Sequence, residues 1–244
     1  MIKMAEKIYG KNPILEALKS GHRVYEIFLT ERVLKQEKEL MKIARKKSVK
    51  VTLVDKSELD TMVEGHHQGV VATIAPYRYF ELSDIFQEAK DQGKPPFILI
   101  LDGLEDPHNL GAILRSAEAS GVHGIIIPKH RSVKLNATVA KLSAGAIHYM
   151  KVVQVTNIRN TINELKKLGI WVVGTDLNTS MDYTDFDYTI PIAIVIGNEG
   201  KGMSRIVRES CDELVKIPMM GRVQSLNASV SAAILMYEVV RQRK

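Results

Sequence analysis

Cysteine is nearly absent from this chain, and aromatic residues are few. The single cysteine among 244 residues is Cys211, and only 6% of the residues are Phe, Trp or Tyr. One cysteine excludes an intramolecular disulfide and a cysteine-based zinc cluster. The surrounding segment, ESCDELVKI, places no basic side chain beside the thiol. Because a basic neighbour is what usually activates a cysteine, we predict a buried structural thiol rather than a nucleophile.

Long apolar runs are missing as well. No stretch reaches the roughly 18 apolar residues that a membrane-spanning helix needs. The first ten residues, MIKMAEKIYG, lack the apolar core of a signal peptide. We therefore expect a cytoplasmic protein with no membrane partner. The net charge of +6 is compatible with a polyanionic partner but is too modest to identify one.

Two different patterns divide the chain. Residues 1–76 alternate short strand and helix patterns and end at a proline, which predicts a small α/β unit. Residues 77–96 contain a short polar helix and a Pro-Pro pair, which predicts a linker. Over residues 97–244, apolar strand patterns alternate with amphipathic helices, as in a parallel α/β sheet. The run FILIL is apolar on both faces, which is typical of a strand buried inside such a sheet.

Three polar motifs follow predicted strands of the second unit. DGLEDPHNLGAILR contains Asn109 and Arg115, VIGNEGKGMS contains Glu199, and IPMMGRVQSLNAS contains Ser225 and Asn227. Loops at the carboxyl ends of parallel strands are where open α/β sheets bind ligands. Each motif alone also fits a structural interpretation: a capped helix with a solvated arginine, a tight turn, and Ser225 as an N-cap. No glycine fingerprint follows the first strand, which disfavours a nucleotide-dependent oxidoreductase.

Taken in order, the three motifs resemble those of the SpoU/TrmH family of RNA 2'-O-methyltransferases, part of the SPOUT class. Upstream, the segment from GKNPILEAL to HHQGVVA resembles the L30e-like RNA-binding domain of the RlmB-type subgroup. The resemblance implies an α/β fold whose C-terminal parallel-sheet domain contains a deep trefoil knot. It also implies S-adenosyl-L-methionine (AdoMet) as methyl donor, no metal, and a homodimer.

The implied reaction is methylation of a ribose 2'-oxygen, and the implied substrate is a guanosine of 23S rRNA in the large ribosomal subunit. Simpler tRNA enzymes of the family lack the upstream domain, but a tRNA guanosine 2'-O-methyltransferase stays a near alternative. An adenosine-directed resistance methyltransferase is another. A non-catalytic RNA-binding or ribosome-assembly protein of the same fold is an alternative of a different class.

The resemblance also implies roles for individual residues. Arg115 would bind the target phosphate and stabilise the oxyanion, since a guanidinium stays protonated in proteins. Asn109 would orient the ribose or the helix start, and Glu199 would hold Asn109 or Arg115. Ser225 and Asn227 would shape the substrate and cofactor site. The expected AdoMet contacts are Gly174, Thr175, Ile196, Gly197, Ile217, Met219, Ser225, Leu226 and Asn227.

Candidate RNA contacts also occur in the first unit. The basic stretches GHRVYE and ARKKSVK are candidates for phosphate binding. The turn GHHQG, with His66 and His67, is a more specific candidate, because single-stranded RNA is recognised by exposed polar and stacking groups. These histidines have no companions at metal-ligand spacing, so we predict no zinc site.

Overall fold

The computed structural model describes residues 5–244. The first ten residues were considered above as a possible signal peptide, and the first four of them lie outside the described residues. The chain forms two compact units. Unit 1 comprises the described residues up to Arg78 together with Lys134–Tyr149. Unit 2 comprises Tyr79–Val133 and Met150–Lys244. None of the described helices combines the length and the apolar character needed to cross a membrane.

Unit 1 is built on a four-stranded mixed sheet in the order β1-β4-β2-β3. Strand β2 runs parallel to β3 and antiparallel to β4, which in turn pairs antiparallel with β1. Apolar residues of the helices, such as Ile14 and Leu40, are buried in its core. The elements are β1 (Glu6–Tyr9), α1 (Lys11–Ser20), β2 (Val24–Leu29), α2 (Glu31–Gln36), α3 (Lys38–Lys46), β3 (Lys50–Leu53), α4 (Lys56–Met62) and β4 (Val70–Ile74).

Unit 2 contains a six-stranded sheet in the order β10-β8-β9-β5-β6-β7, and every pairing in it is parallel. The two central strands, β5 and β9, are buried at every position, as the apolar runs predict. The elements are α5 (Leu82–Asp91), β5 (Phe97–Leu101), α6 (Pro107–Ser120), β6 (Gly124–Pro128), β7 (Val152–Val155), α8 (Ile158–Lys167), β8 (Trp171–Thr175), β9 (Ile192–Ile196), α9 (Arg205–Ser210), β10 (Glu213–Val215) and α10 (Ala228–Gln242). The parallel α/β architecture predicted for this part of the chain is confirmed.

The segment predicted as a linker, residues 77–96, has a different character in the structure. Half of it is α5, and the Ile85 side chain of that helix is fully buried in the core of unit 2 with Ile98, Ile126 and Val153. The polar residues of α5 lie on its solvent-facing side. This helix is therefore a structural layer of unit 2, which begins at Tyr79.

A second difference concerns Lys134–Tyr149, which the sequence assigns to the C-terminal domain. These residues form α7 (Ala137–Leu142) and a short 3-10 helix (Ala146–His148), and they belong to unit 1. The Lys141 ammonium lies 4.8 Å from the ring centroid of Tyr9 in β1. The Tyr149 hydroxyl donates a hydrogen bond of 2.9 Å to Glu16 in α1. Unit 1 is thus completed by a segment from the middle of the chain.

Candidate active site

The loops that follow β5 and β9 are tied together at the carboxyl edge of the sheet. The two strands are direct neighbours. The Asn198 side chain donates from Nδ2 to the carbonyl oxygen of Gly103 at 2.9 Å. The backbone N–H of Ser204 donates to Asp102 Oδ2 at 2.7 Å. These bonds hold the loop after β9, residues 197–203, here called the glycine-rich loop, against the loop that leads from β5 to α6.

Asn109, Glu199 and Asn227 form one hydrogen-bonded group, here called the polar cluster. Asn109 Nδ2 donates to Glu199 Oε1 at 2.9 Å, and Asn227 Nδ2 donates to Asn109 Oδ1 at 2.9 Å. Asn227 Nδ2 also donates to Glu199 Oε1, which in addition accepts from the backbone N–H of Ala228 at 3.1 Å. Asn109 is only 4% exposed. Of the two partners expected for Glu199, the one that the structure shows is Asn109.

Asn227 also caps the last helix. Its Oδ1 accepts from the backbone N–H groups of Ser229 at 2.9 Å and Val230 at 3.3 Å. The interpretation of Ser225 as the N-cap is therefore wrong, because α10 begins two residues later than that interpretation requires. Ser225 lines a cavity instead.

The loop after β9 depends on the glycine at position 197. The backbone N–H of Asn198 donates to Gly202 O at 3.0 Å, and that of Gly202 donates to Asn198 O at 2.8 Å. A Cβ atom at Gly197 would lie 2.3 Å from both the Gly202 carbonyl carbon and the Met203 nitrogen. Since real Cβ atoms do not approach backbone so closely, only glycine permits this folded-back loop.

A cavity of about 520 Å³ adjoins this loop and the ends of β8 and β10. Seven of the nine predicted cofactor residues line it: Thr175, Ile196, Gly197, Ile217, Met219, Ser225 and Leu226. Gly174 and Asn227 do not. A Cβ atom at Gly174 would lie 2.7 Å from Met203 and 2.9 Å from Cys211, so this glycine makes room for those two side chains.

The sequence did not single out an ion pair in the cavity wall. Arg208 Nε lies 2.6 Å from Asp176 Oδ2, and both residues line the cavity. The backbone N–H of Asn178 donates to the other carboxylate oxygen at 2.8 Å. Asp176 directly follows β8, so its position at the carboxyl end of a parallel strand was a signal that could have identified it.

Arg115 stands apart from the polar cluster. It is exposed on α6, and its side chain makes no hydrogen bond or ion pair with any of residues 5–244. It lies six positions after Asn109, which at about 100° per residue turns it about 120° away from the buried face. Within one chain, the structure therefore does not bring Arg115 and Asn109 together.

Cys211 has the environment of a structural thiol. Burial is the main cause that raises the pKa of its thiol to about 12. Its Sγ lies 3.4 Å from the carbonyl oxygen of Val207. Because the thiolate is strongly disfavoured, the structure agrees with the inert role predicted from the sequence.

The two histidines of the GHHQG turn differ in the structure. His67 is buried, and its Nδ1 accepts from the backbone N–H of Gly69 at 2.9 Å. Its Nε2 therefore donates to Asp60 Oδ1, also at 2.9 Å. His67 stabilises the turn and does not face solvent, whereas His66 is exposed. Over residues 5–244, no group of three or more His, Cys, Asp or Glu side chains is arranged to hold a metal ion.

Comparison with known proteins also divides the chain into two parts. Residues 96–237 match the SpoU rRNA Methylase family, and residues 7–80 match the family described as RNA 2'-O ribose methyltransferase substrate binding. A Bacillus subtilis protein assigned to the TrmH family of tRNA/rRNA methyltransferases is 50% identical over 244 residues. The match covers 100% of this chain and 98% of the relative.

Solved structures of similar fold also include RNA methyltransferases. The SpoU methyltransferase AviRb from Streptomyces viridochromogenes, in complex with AdoMet, is similar with a TM-score of 0.84 and 28% identity, over 98% of this chain and 90% of that one. An RNA 2'-O ribose methyltransferase is similar with a TM-score of 0.80 and 28% identity, over 97% and 88% of the two chains. The chain therefore belongs to the SpoU/TrmH family of RNA methyltransferases, with an N-terminal substrate-binding domain.

Proposed function

We propose that this protein transfers a methyl group from AdoMet to the 2'-oxygen of a ribose in RNA, and that the target is a guanosine of 23S rRNA. The observation that carries the proposal is the polar cluster, in which one residue from each of the three motifs takes part. Glu199 of this cluster also lines the cavity. Membership in a family of RNA methyltransferases supports the reaction class.

The cavity fits the proposed cofactor in size and chemistry. Its volume of about 520 Å³ is within the range of small-molecule sites. Apolar side chains, including Ile196, Ile217 and Leu226, offer a surface for the adenosine part. Glu199 also lines it, and a carboxylate suits a cationic sulfonium. AdoMet supplies an already activated methyl group, so the transfer needs no metal.

The chain itself must position a weakly acidic hydroxyl and stabilise the charge that develops on it. Asn109 is held through both ends of its amide, which leaves one N–H and one acceptor lone pair for a ribose. Arg115 supplies the positive charge for the phosphate and the developing oxyanion. Because its guanidinium remains protonated, we assign it electrostatic stabilisation rather than proton abstraction.

A homodimer would complete the site. Arg115 lies on a different face of α6 from Asn109, which is expected if it serves the cluster of a second copy. The helix packed against α6 is α10, and it exposes an apolar stripe that includes Val230, 46% exposed, and Tyr237, 52% exposed. If a second copy of the chain packed against this stripe, Arg115 on the adjacent helix α6 would also lie close to that second copy. The trefoil knot in residues 97–244 stays a prediction.

Unit 1 favours rRNA over tRNA as the substrate. It matches a substrate-binding family, and a dedicated RNA-binding unit suits a target embedded in a large folded RNA. The deciding experiment maps 2'-O-methyl groups in total RNA from cells with and without the protein. We expect loss of one guanosine site in 23S rRNA. Loss of a tRNA site alone would replace the rRNA assignment with the tRNA one.

Replacing Arg115 tests the reaction. We expect Arg115→Ala to abolish methyl transfer and to change the free energy of unfolding by less than about 0.5 kcal/mol, because the side chain is exposed and unpaired. Arg159→Ala, which removes another exposed arginine of unit 2, is the matched control and should keep full activity. Wild-type turnover by Arg115→Ala would contradict its role. AdoMet binding by the wild type without transfer to any RNA would instead indicate a non-catalytic protein.

A further inference from the structure

The loop that follows β6 carries three consecutive basic or titratable side chains, Lys129, His130 and Arg131, here called the basic loop. All three are exposed. Within residues 5–244, no hydrogen bond or ion pair from another residue engages these side chains. None of the three polar motifs includes these residues.

The basic loop lies at the same edge of the sheet as the polar cluster. The backbone N–H of Lys129 donates to Val155 O at the end of β7, at 2.9 Å, and that of Val133 donates to Leu104 O at 2.9 Å. Leu104 adjoins Gly103, whose carbonyl accepts from Asn198. Since β6, β5 and β9 are consecutive in the sheet, two strand spacings, or about 10 Å, separate the basic loop from the glycine-rich loop.

Several other cations of unit 2 are engaged by partners within the unit. Lys166 pairs with Asp212 at 2.7 Å, and Lys151 pairs with Glu88 at 2.9 Å. The Arg243 guanidinium donates to four backbone carbonyls, those of Pro95, Pro96, Tyr188 and Ile190. Asp106, on the loop next to the basic loop, accepts from the backbone N–H of His108 at the start of α6. The basic loop thus presents three exposed side chains, without partners among the described residues, at the sheet edge that carries the polar cluster.

The backbone of the basic loop is unusual too. Arg131 has a φ of 55°, a left-handed conformation that few residues other than glycine adopt. Backbone of this kind persists where surrounding contacts hold it, and it is common at ligand-binding segments.

We propose that the basic loop binds backbone phosphates of the RNA strand next to the target ribose. The proposal rests on the RNA methyltransferase activity proposed above and adds a second anchoring point on unit 2. The Arg131 guanidinium suits a phosphate through paired N–H donors, and Lys129 supplies a point charge. Contacts of this type fix the register of the RNA and do not read its sequence.

The test uses Lys129→Gln/Arg131→Gln in the full-length protein with an rRNA fragment that contains the mapped target. We expect KM for RNA to rise about tenfold, with kcat at saturating RNA and the AdoMet affinity unchanged. The slope of log binding constant against log salt should become shallower by about 1.4, from two lost contacts with single-stranded phosphates. Thermal unfolding monitors the fold, and Arg131→Gln alone should give about half the change in slope.

The matched control is Lys94→Gln/Lys167→Gln, which removes the same charge from two exposed lysines near the amino ends of β5 and β8. An equal effect from the control would show general electrostatic attraction and overturn the proposal. So would wild-type KM and salt slope in the basic-loop variant, or a loss of AdoMet affinity. Failure of the proposed function is distinguishable, because the wild type would then methylate no RNA while RNA binding still reports on the loop.

Discussion

One carboxylate oxygen, Oε1 of Glu199, receives three hydrogen bonds, from Asn109, Asn227 and the backbone of Ala228. Such shared acceptors couple the residues that donate to them, because removing one donor changes the position and solvation of the acceptor for the others. The polar cluster should therefore behave as a unit and not as three separate contacts.

A double-mutant cycle tests that coupling. Asn109→Ala should destabilise unit 2 by about 1–3 kcal/mol, since it leaves buried groups without partners. Asn227→Ala should cost about 1 kcal/mol through the lost helix cap. Together they should cost at least about 0.5 kcal/mol less than the sum, measured by urea unfolding.

Asn157 provides the control for this cycle. It caps α8 in the same way, accepting from the backbone N–H of Asn160 at 3.1 Å, and it makes no contact with the polar cluster. Asn109→Ala and Asn157→Ala should therefore be additive. Additivity of Asn109→Ala with Asn227→Ala as well would contradict a coupled cluster.

His148 should make unit 1 sensitive to acid. Burial, and to a lesser extent repulsion by His22, lower the pKa of His148 to about 4. Both of its ring nitrogens are buried without partners, and its ring lies 5.0 Å from that of His22 and 5.7 Å from that of Tyr77. The unfolded chain binds a proton near the ordinary pKa of about 6.5. Between that pH and pH 4 the unfolded state holds more protons, so stability falls as the pH decreases.

We expect His148→Phe to weaken this pH dependence. The measurement is hydrogen exchange of β1 and α1 at pH 7 and pH 5, corrected for intrinsic rates, because His123 in unit 2 also has a lowered pKa and would confuse a global signal. His66→Phe, at an exposed position, is the control and should leave the dependence unchanged. An unaltered pH dependence in His148→Phe would assign the effect to other groups.

The sequence predicted the members of the polar cluster but not the residues that hold the loops. Asn109, Glu199 and Asn227 occur in short motifs whose order identifies the family. Asn198 and Asp102 act only because β9 lies beside β5, and strand order is not visible in the motifs. Their side chains look like ordinary loop polar groups until the topology is known.

At the scale of single elements, two glycines of the glycine-rich loop should respond differently to replacement by alanine. Gly197→Ala should abolish AdoMet binding, because the added methyl group would collide with the backbone of Gly202 and Met203 at 2.3 Å and force the loop open. Gly200→Ala should bind AdoMet normally, since its Cβ would meet only Asn198 Oδ1 at 3.7 Å. Isothermal titration with AdoMet compares them. Equal affinities would mean that this loop does not form the cofactor site.

Element prediction succeeded where the pattern was long and apolar. The strands β5 and β9 follow from continuous apolar runs. The sequence of residues 31–48 has the apolar spacing of a single helix, but the structure breaks it at Glu37 into α2 and α3. Short elements such as β1 and α7 have too few residues for a periodic signal, and contacts with the rest of unit 1 help to stabilise them.

At the scale of the whole chain, unit 1 is assembled from two stretches that are far apart in sequence. Similarity to known families divides the chain into continuous pieces, residues 7–80 and 96–237. The structure instead assigns Lys134–Tyr149, which lies inside the second piece, to unit 1. The sequence could not reveal this assignment, because α7 resembles any short amphipathic helix following a strand.

Gly145 tests the contribution of that segment. It has a φ of 94°, and a Cβ there would lie 2.5 Å from Glu16 Cβ and Cγ. Gly145→Ala should therefore loosen the segment and speed hydrogen exchange in β1 and α1. Gly21→Ala shares a left-handed backbone, φ 82°, but its Cβ would meet nothing within 4 Å, so it reports strain alone. Identical exchange in the two variants would mean that the segment adds nothing to unit 1.

The two-part construction of unit 1 has a consequence for protein engineering. A chimera that exchanges RNA preference between two such enzymes cannot be made with one junction near residue 80. The donor must also contribute its counterpart of Lys134–Tyr149, or the contacts that Tyr9 and Glu16 make with that segment would be formed by mismatched partners. The exchangeable module is defined by its three-dimensional contacts, and its gene would have to be spliced at three points.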